Sequence, residues 1–300
     1  MSAVRFLRNQ KCENGNRYQE EVLSIDDEDR VLLAQSVPLV VDLLRSPRLQ
    51  GVLSMLAKEL LEEQSTRSGR QEVREFLRAM GEEFPTIVID YELSKDEPDT
   101  YGYTPEVELE EGCGLGNVMI RINGKRLRCY RRSKDEQRER FAFSHLMILV
   151  HGCAHAFVSW VDSRAEINSD TISNAGAWME LKAFGGTIAF LHASDEKSPS
   201  DDCGEAHIVN SAGHWGELSL ATMRATLVGD YRFPFPASWL PGQSPRAVNQ
   251  EPRAADQASR VAGQEGRGTT QVEVNEPSSA GFDLPVRASP DKARDRNSTQ

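Results

Sequence analysis

Two histidines four residues apart, His151 and His155, are the positions in this chain whose type and spacing suit chemistry most directly. On a helix that spacing places both imidazoles on one face, about one turn apart, where they can bind a single metal ion. The pair is half of a zinc site. A zinc hydrolase built on HExxH carries Glu beside the first histidine as general base for a metal-bound water. Here the motif reads HGCAH, and that position is Gly152.

The elements that must position this pair can be read outward from it. The stretch 133–160 predicts a helix with Ser133 as N-cap and Asp135 and Glu136 in its first turn, apolar almost all round from Phe141 onward. A polar connection over 161–172 leads to a second helix from Ser173 or Asn174 to Phe184, closed by Gly185-Gly186. On it Glu180 is the expected third metal ligand, because Gly176, Ala177 and Ala183 on its face would allow close approach to the first helix. The plain alternative is a surface glutamate. Asn174 is the weaker candidate, ~120° from Glu180 around the helix. Asp162 or Glu166, after the first helix, could serve as a substitute base. His145 is expected off the metal face, His207 and His214 in loops, and Cys153 as a buried, inert thiol.

Upstream, three amphipathic helices are predicted over about residues 26–84, the first disturbed at Pro38. A strand follows over Thr86 to Leu93, and then an acidic connection, 94–111. EGCGLGN, 111–117, lacks the Gly-Lys-Ser/Thr ending and following helix of a phosphate loop. Asn123-Gly124, between NVMIRI and KRLRCYRR, predicts a hairpin whose basic second strand is solvated. The closing segment predicts one helix and an aromatic-proline strap over the core.

HGCAHAF at 151–157, followed by NAGAWMELKAFGGTI at 174–188, resembles a group of fungal zincin-like proteins. Their core reads HExxHxx, a short polar gap, Glu-Ser/Ala-Gly, Leu-Glu and Phe-Gly-Gly. The resemblance implies an α+β fold with a zincin-like core. In it a small sheet, here the hairpin, packs on the long buried HxxxH helix, preceded by a helical N-terminal layer. It aligns the metal positions with His151, His155 and Glu180. Two departures stand out: Gly152 replaces the base, and Asn174 replaces the Glu that opens the second motif. If that Glu is the family's third ligand, this site has lost a ligand as well.

Composition sets the remaining bounds. Residues 243–300 carry no Trp or Tyr, one Phe, and eight basic against eight acidic residues, so a disordered tail is expected there. The expected organisation is a flexible lead over 1–25, one domain over 26–242, and the tail. The net charge of −11 then belongs to the part before the tail and argues against nucleic acid and anionic membrane as partners. No signal peptide and no membrane-length apolar run is expected, and five cysteines without a CxxC pair fit reduced thiols in an intracellular protein, cytoplasmic or nuclear. The leading expectation is a zincin-type module without peptidase chemistry that binds a protein or peptide partner, with or without zinc. The alternatives are an active zinc-dependent hydrolase using another base, and a metal-free α+β interaction protein.

Overall fold

The computed structural model describes residues 3–11, 18–61, 68–93, 100–105, 109, 113–164, 174–191 and 203–239. The expected tail, Cys12 and Glu166 lie outside them. The architecture is α+β, with two sheets. The first contains β1 (Phe6–Lys11), β2 (Tyr18–Val22), β3 (Thr86–Asp90), β4 (Gly102–Tyr103) and β5 (Met119–Asn123), in the order β2-β1-β3-β5-β4. The inner strands β1, β3 and β5 run parallel, and β2 and β4 run antiparallel at the two edges. All five residues of β3 are buried, which is why the strand reads as a nearly unbroken apolar run.

The N-terminal segment corrects an expectation. Instead of a flexible lead it supplies β1 and β2, and β1 is an inner strand with Phe6 and Leu7 buried. Its polarity conceals it in the sequence, because the partners that neutralise it are distant: Arg8 reaches Asp27 at 2.8 Å and Asp29 at 3.1 Å.

Four helices fill the connection from β2 to β3: α1 (Glu28–Ala34), α2 (Ser36–Arg45), α3 (Pro47–Leu60) and α4 (Gly69–Glu82). Asp27, Ser46 and Ser68 cap α1, α3 and α4 through their side chains. The helix expected to be disturbed at Pro38 is split at Gln35 into α1 and α2, and Pro38 lies in the first turn of α2, where a missing N–H leaves no intrahelical bond unmade.

The expected hairpin is also corrected. After β5 the chain enters a helix, α5 (Gly124–Arg132), and Asn123 is its N-cap, accepting from the backbone N–H groups of Lys125 and Arg126. The basic run is therefore helical. Arg126 is buried over the Tyr101 ring, 4.1 Å from its centroid, and Arg131 pairs with Glu28 and Asp29. Ser133 ends α5, and its hydroxyl donates to the Tyr130 carbonyl, so it is not the N-cap of the long helix, whose cap is Lys134.

That long helix, α6 (Asp135–Asp162), passes through the core. It is long and apolar enough to cross a membrane, contrary to the expectation that no run reaches that length, but 72% of its apolar window is buried inside the protein. The helix α7 (Ala175–Phe184) lies against it and ends at Gly185, whose φ of 92° favours glycine. A second sheet follows that the sequence does not announce: an antiparallel meander of β6 (Thr187–Leu191), β7 (Glu205–Val209), β8 (Trp215–Leu218) and β9 (Ala237–Trp239). Helix α8 (Leu220–Leu227) lies between β8 and β9, and Phe233 and Phe235 of the strap stack on Phe184 at 5.9 and 4.7 Å.

Because Leu7 is buried in an inner strand, Leu7→Ala is expected to lower unfolding stability by about 2–5 kcal/mol in urea titrations. An unchanged midpoint would return the segment to a dispensable lead.

Candidate metal centre

The site is made where α6 and α7 meet. His151 and His155 lie one turn apart on α6, and their Nε2 atoms face each other at 3.3 Å. The opposite nitrogen of His151, Nδ1, is 2.8 Å from Oε1 of Glu180 on α7. The second oxygen of Glu180, Oε2, accepts from the backbone N–H of Ile188 at 2.9 Å. A carboxylate only accepts, so the Nδ1–H of His151 donates to Glu180.

Two glycines permit this geometry. A Cβ on Gly176 would run into Nε2, Cδ2 and Cε1 of His151 at near-equal distances, which places it over the ring face and not in the direction of the Nε2 lone pair. The first turn of α7 therefore lies flat on the imidazole. On α6, a Cβ on Gly152 would stand 2.8 Å from Cγ1 of Ile120 and 2.8 Å from Oγ1 of Thr104. Ile120 is a fully buried residue of β5 with no room to retreat. The direction in which a general-base Glu would leave the helix is filled by the first sheet.

Asn174 is the N-cap of α7, its Oδ1 accepting from the N–H of Ala177 at 2.9 Å, and its side chain also hydrogen-bonds His155. Burial and the neighbouring His151 push the His155 pKa down to about 3, with the Asn174 bond opposing the shift, so the ring is neutral at physiological pH and keeps a single N–H.

The structure thus brings His151, His155, Glu180 and Asn174 together, but in a chain and not around one point. Glu180, expected as a ligand, is turned to the outer nitrogen of His151. Among the described residues no group of three His, Cys, Asp or Glu side chains converges as metal ligands would. The distance between the histidines is nevertheless what zinc imposes: with Zn–N of ~2.0–2.1 Å, two ligands of a tetrahedral ion stand about 3.3–3.4 Å apart. A carboxylate on the outer ring nitrogen is also the usual partner of a zinc-bound histidine. The described residues supply two imidazole nitrogens and an orienting carboxylate, one protein ligand short of the three that a zinc site takes.

The remaining candidates are elsewhere. Asp162 is exposed at the end of α6, nearly two turns beyond His155. His145 is buried six residues before His151, with Nδ1 2.6 Å from the Phe141 carbonyl and its ring stacked on Tyr130. Cys153 is fully buried, and burial pushes its thiol pKa up, which leaves it unreactive. His207, expected in a loop, is on β7 and mostly buried, opposite Glu217. The periodicity of EAHIV, with Ala206 and Ile208 inward, is the signal that could have placed it on a strand. Comparisons with protein-family models, curated proteins and solved structures find no match to this chain.

Two predictions follow from this packing. Gly152→Ala gains about 1 kcal/mol of helix propensity but overpacks against Ile120 at a cost of ~1–3 kcal/mol, so a lower melting temperature is expected; a higher one would show that the contact yields. For His145, burial lowers the pKa to about 4, with the Phe141 bond opposing it and Arg126 adding to it. A folded pKa below the unfolded ~6.5 means that stability is complete above that pH and is lost as pH falls towards 4, by roughly 3 kcal/mol. Urea midpoints of His145→Phe should flatten in this window relative to the parent chain, and parallel curves would assign the acid sensitivity to other groups.

Proposed function

We propose that the chain is a zincin-like protein that has kept the metal-binding edge of its motif helix and lost hydrolytic chemistry, and that it acts as a binding or regulatory module for a protein or peptide partner. One observation carries the reading: two imidazole nitrogens converge on a helix that has a filled position where the base would stand. The packing of that helix against β5 and β4, at Gly152 and Gly102, supports a zincin-like arrangement of helix and sheet. His151 and His155 would hold the ion, and when bound it would supply Lewis-acid character. The chain's own residues offer that ion orientation through Glu180 and no base in the direction of Gly152. Removal of a general base typically lowers rate by ~10²–10⁴.

A metal-free interaction protein is the second reading, favoured by the closed hydrogen-bond chain. Glu180, His151, His155 and Asn174 can satisfy one another without a metal.

Equilibration with zinc followed by desalting and elemental analysis separates the two. About one equivalent is expected, abolished by His155→Ala, with no cleavage of an unstructured protein substrate. Less than a tenth of an equivalent leaves the metal-free reading, and metal-dependent cleavage by the parent chain restores the hydrolase.

A further inference from the structure

We propose that the corner where β1, β2 and α1 meet the end of α4 is a binding site for a carboxylate carried on a short apolar body. It shares no residue with the histidine pair. The corner holds a cavity of about 260 Å³. At the ~30 Å³ that a water-sized group occupies, the cavity takes roughly eight heavy atoms. Phe6 and Phe84 form its buried apolar floor, Val4 and Val22 line its sides, and Arg5 and Arg30 bring two guanidinium groups to it.

The walls are already built. Backbone groups of this corner bond one another: the Leu23 N–H donates to the Phe6 carbonyl, the Phe84 N–H to the Ala3 carbonyl, and the Ala3 N–H to the Glu82 carbonyl. Arg30 is held in place, donating one N–H to the Leu23 carbonyl at 2.9 Å and lying 5.5 Å from the centre of the Phe6 ring. Neither Arg5 nor Arg30 pairs with a carboxylate among the described residues, although Asp and Glu number 46 in this chain against 35 Lys and Arg. Glu83 borders the cavity, but its carboxylate is turned to the turn before β5, where each oxygen stands 2.2 Å from the place of a Cβ on Gly114 or Gly116.

What the corner leaves unmet defines the ligand. Two guanidinium groups keep N–H donors in the planar fork that a carboxylate fits. Beside them Val22 is 63% exposed, and an apolar body laid on it and on the two phenyl rings removes that surface from water. The net charge of −11 disfavours anions at long range, so the fork must be joined by apolar contact for binding to be gained. A free acid and the carboxyl end of a peptide carry the same chemistry.

NMR titration of the full chain with hexanoate, a carboxylate of about the cavity's size, tests the site. Saturable shifts centred on the amides of Phe6 and Val22 are expected, with a Kd of about 1 mM or below. Arg5→Ala and Arg30→Lys should each weaken binding about 10-fold. Arg5 is exposed, so its truncation leaves the fold in place. Hexanol and hexylamine should bind at least ~10-fold more weakly than hexanoate. Hexanol bound as tightly, affinity unchanged in Arg5→Ala, shifts confined to other amides, or no saturation by about 10 mM would each overturn the site. An N-acetylated dipeptide ending in leucine separates the two sources: tighter binding than hexanoate assigns a peptide terminus, and weaker binding a free acid.

Discussion

The structure depends on the burial of α6. A helix of 28 residues whose apolar stretch is 72% enclosed has few places to put a polar side chain; its histidines find partners inside the protein, while Ser144 Oγ, His145 Nε2 and Trp160 Nε1 have no hydrogen bond among the described residues. His145 bonds the carbonyl four residues back and stacks on Tyr130, a solution within its own neighbourhood. His151 and His155 meet each other one turn apart, and each has a further partner to find. Their partners come from α7, and the contact between the two helices is arranged around them: Gly176 admits the ring of His151, and Glu180 and Asn174 bracket the pair. The small residues of α7 serve the imidazoles as much as the helix packing.

The same demand recurs in the first sheet. Asp29 is buried and is held by Arg8 from β1 and Arg131 from α5, while Asp90 at the end of β3 meets Arg121 of β5 at 2.9 Å. Each pair joins elements that are far apart in sequence. Removal of either partner would leave a charge in a place that water reaches poorly, so these contacts fix register and order more than they add net stability. The Gly-rich turn before β5 follows this logic: Gly114 and Gly116 close on the Glu83 carboxylate, and their missing side chains make room for a resident acid, not for a phosphate.

Legibility in the sequence followed the range of the interaction. The helix pair of the site, the start of α7 near Asn174, and the stop at Gly185 were readable because each is decided within a few residues. The hairpin expectation failed on the same scale, since Asn-Gly suits both a tight turn and an N-cap. What decided for the helix was distant: Arg126, Leu127 and Tyr130 are buried together, a spacing that only a helix allows. β1 was hidden because its polar residue Arg8 is neutralised across the fold, by Asp27 and Asp29. The types of the site residues were legible as well. The role of Glu180 was not, because a helix face shows that a carboxylate can reach a histidine but not which ring nitrogen it will meet.

That difference separates a ligand from an orienting residue, and it bears on how the site came to lack a base. If Gly152 were a simple loss from HExxH, an open space would remain beside His151. Instead Ile120 and Thr104 occupy it, and a second glycine, Gly102 on β4, brings the same helix onto the strand at Ile148. Helix and sheet have closed together along a line that a glutamate would hold apart. Reintroducing the acid alone would have to separate a core contact before it could reach a metal-bound water. On the proposed zincin-like reading, the departure from HExxH is built into the packing of α6 on the first sheet, while Glu180 and Asn174 meet the two rings from α7.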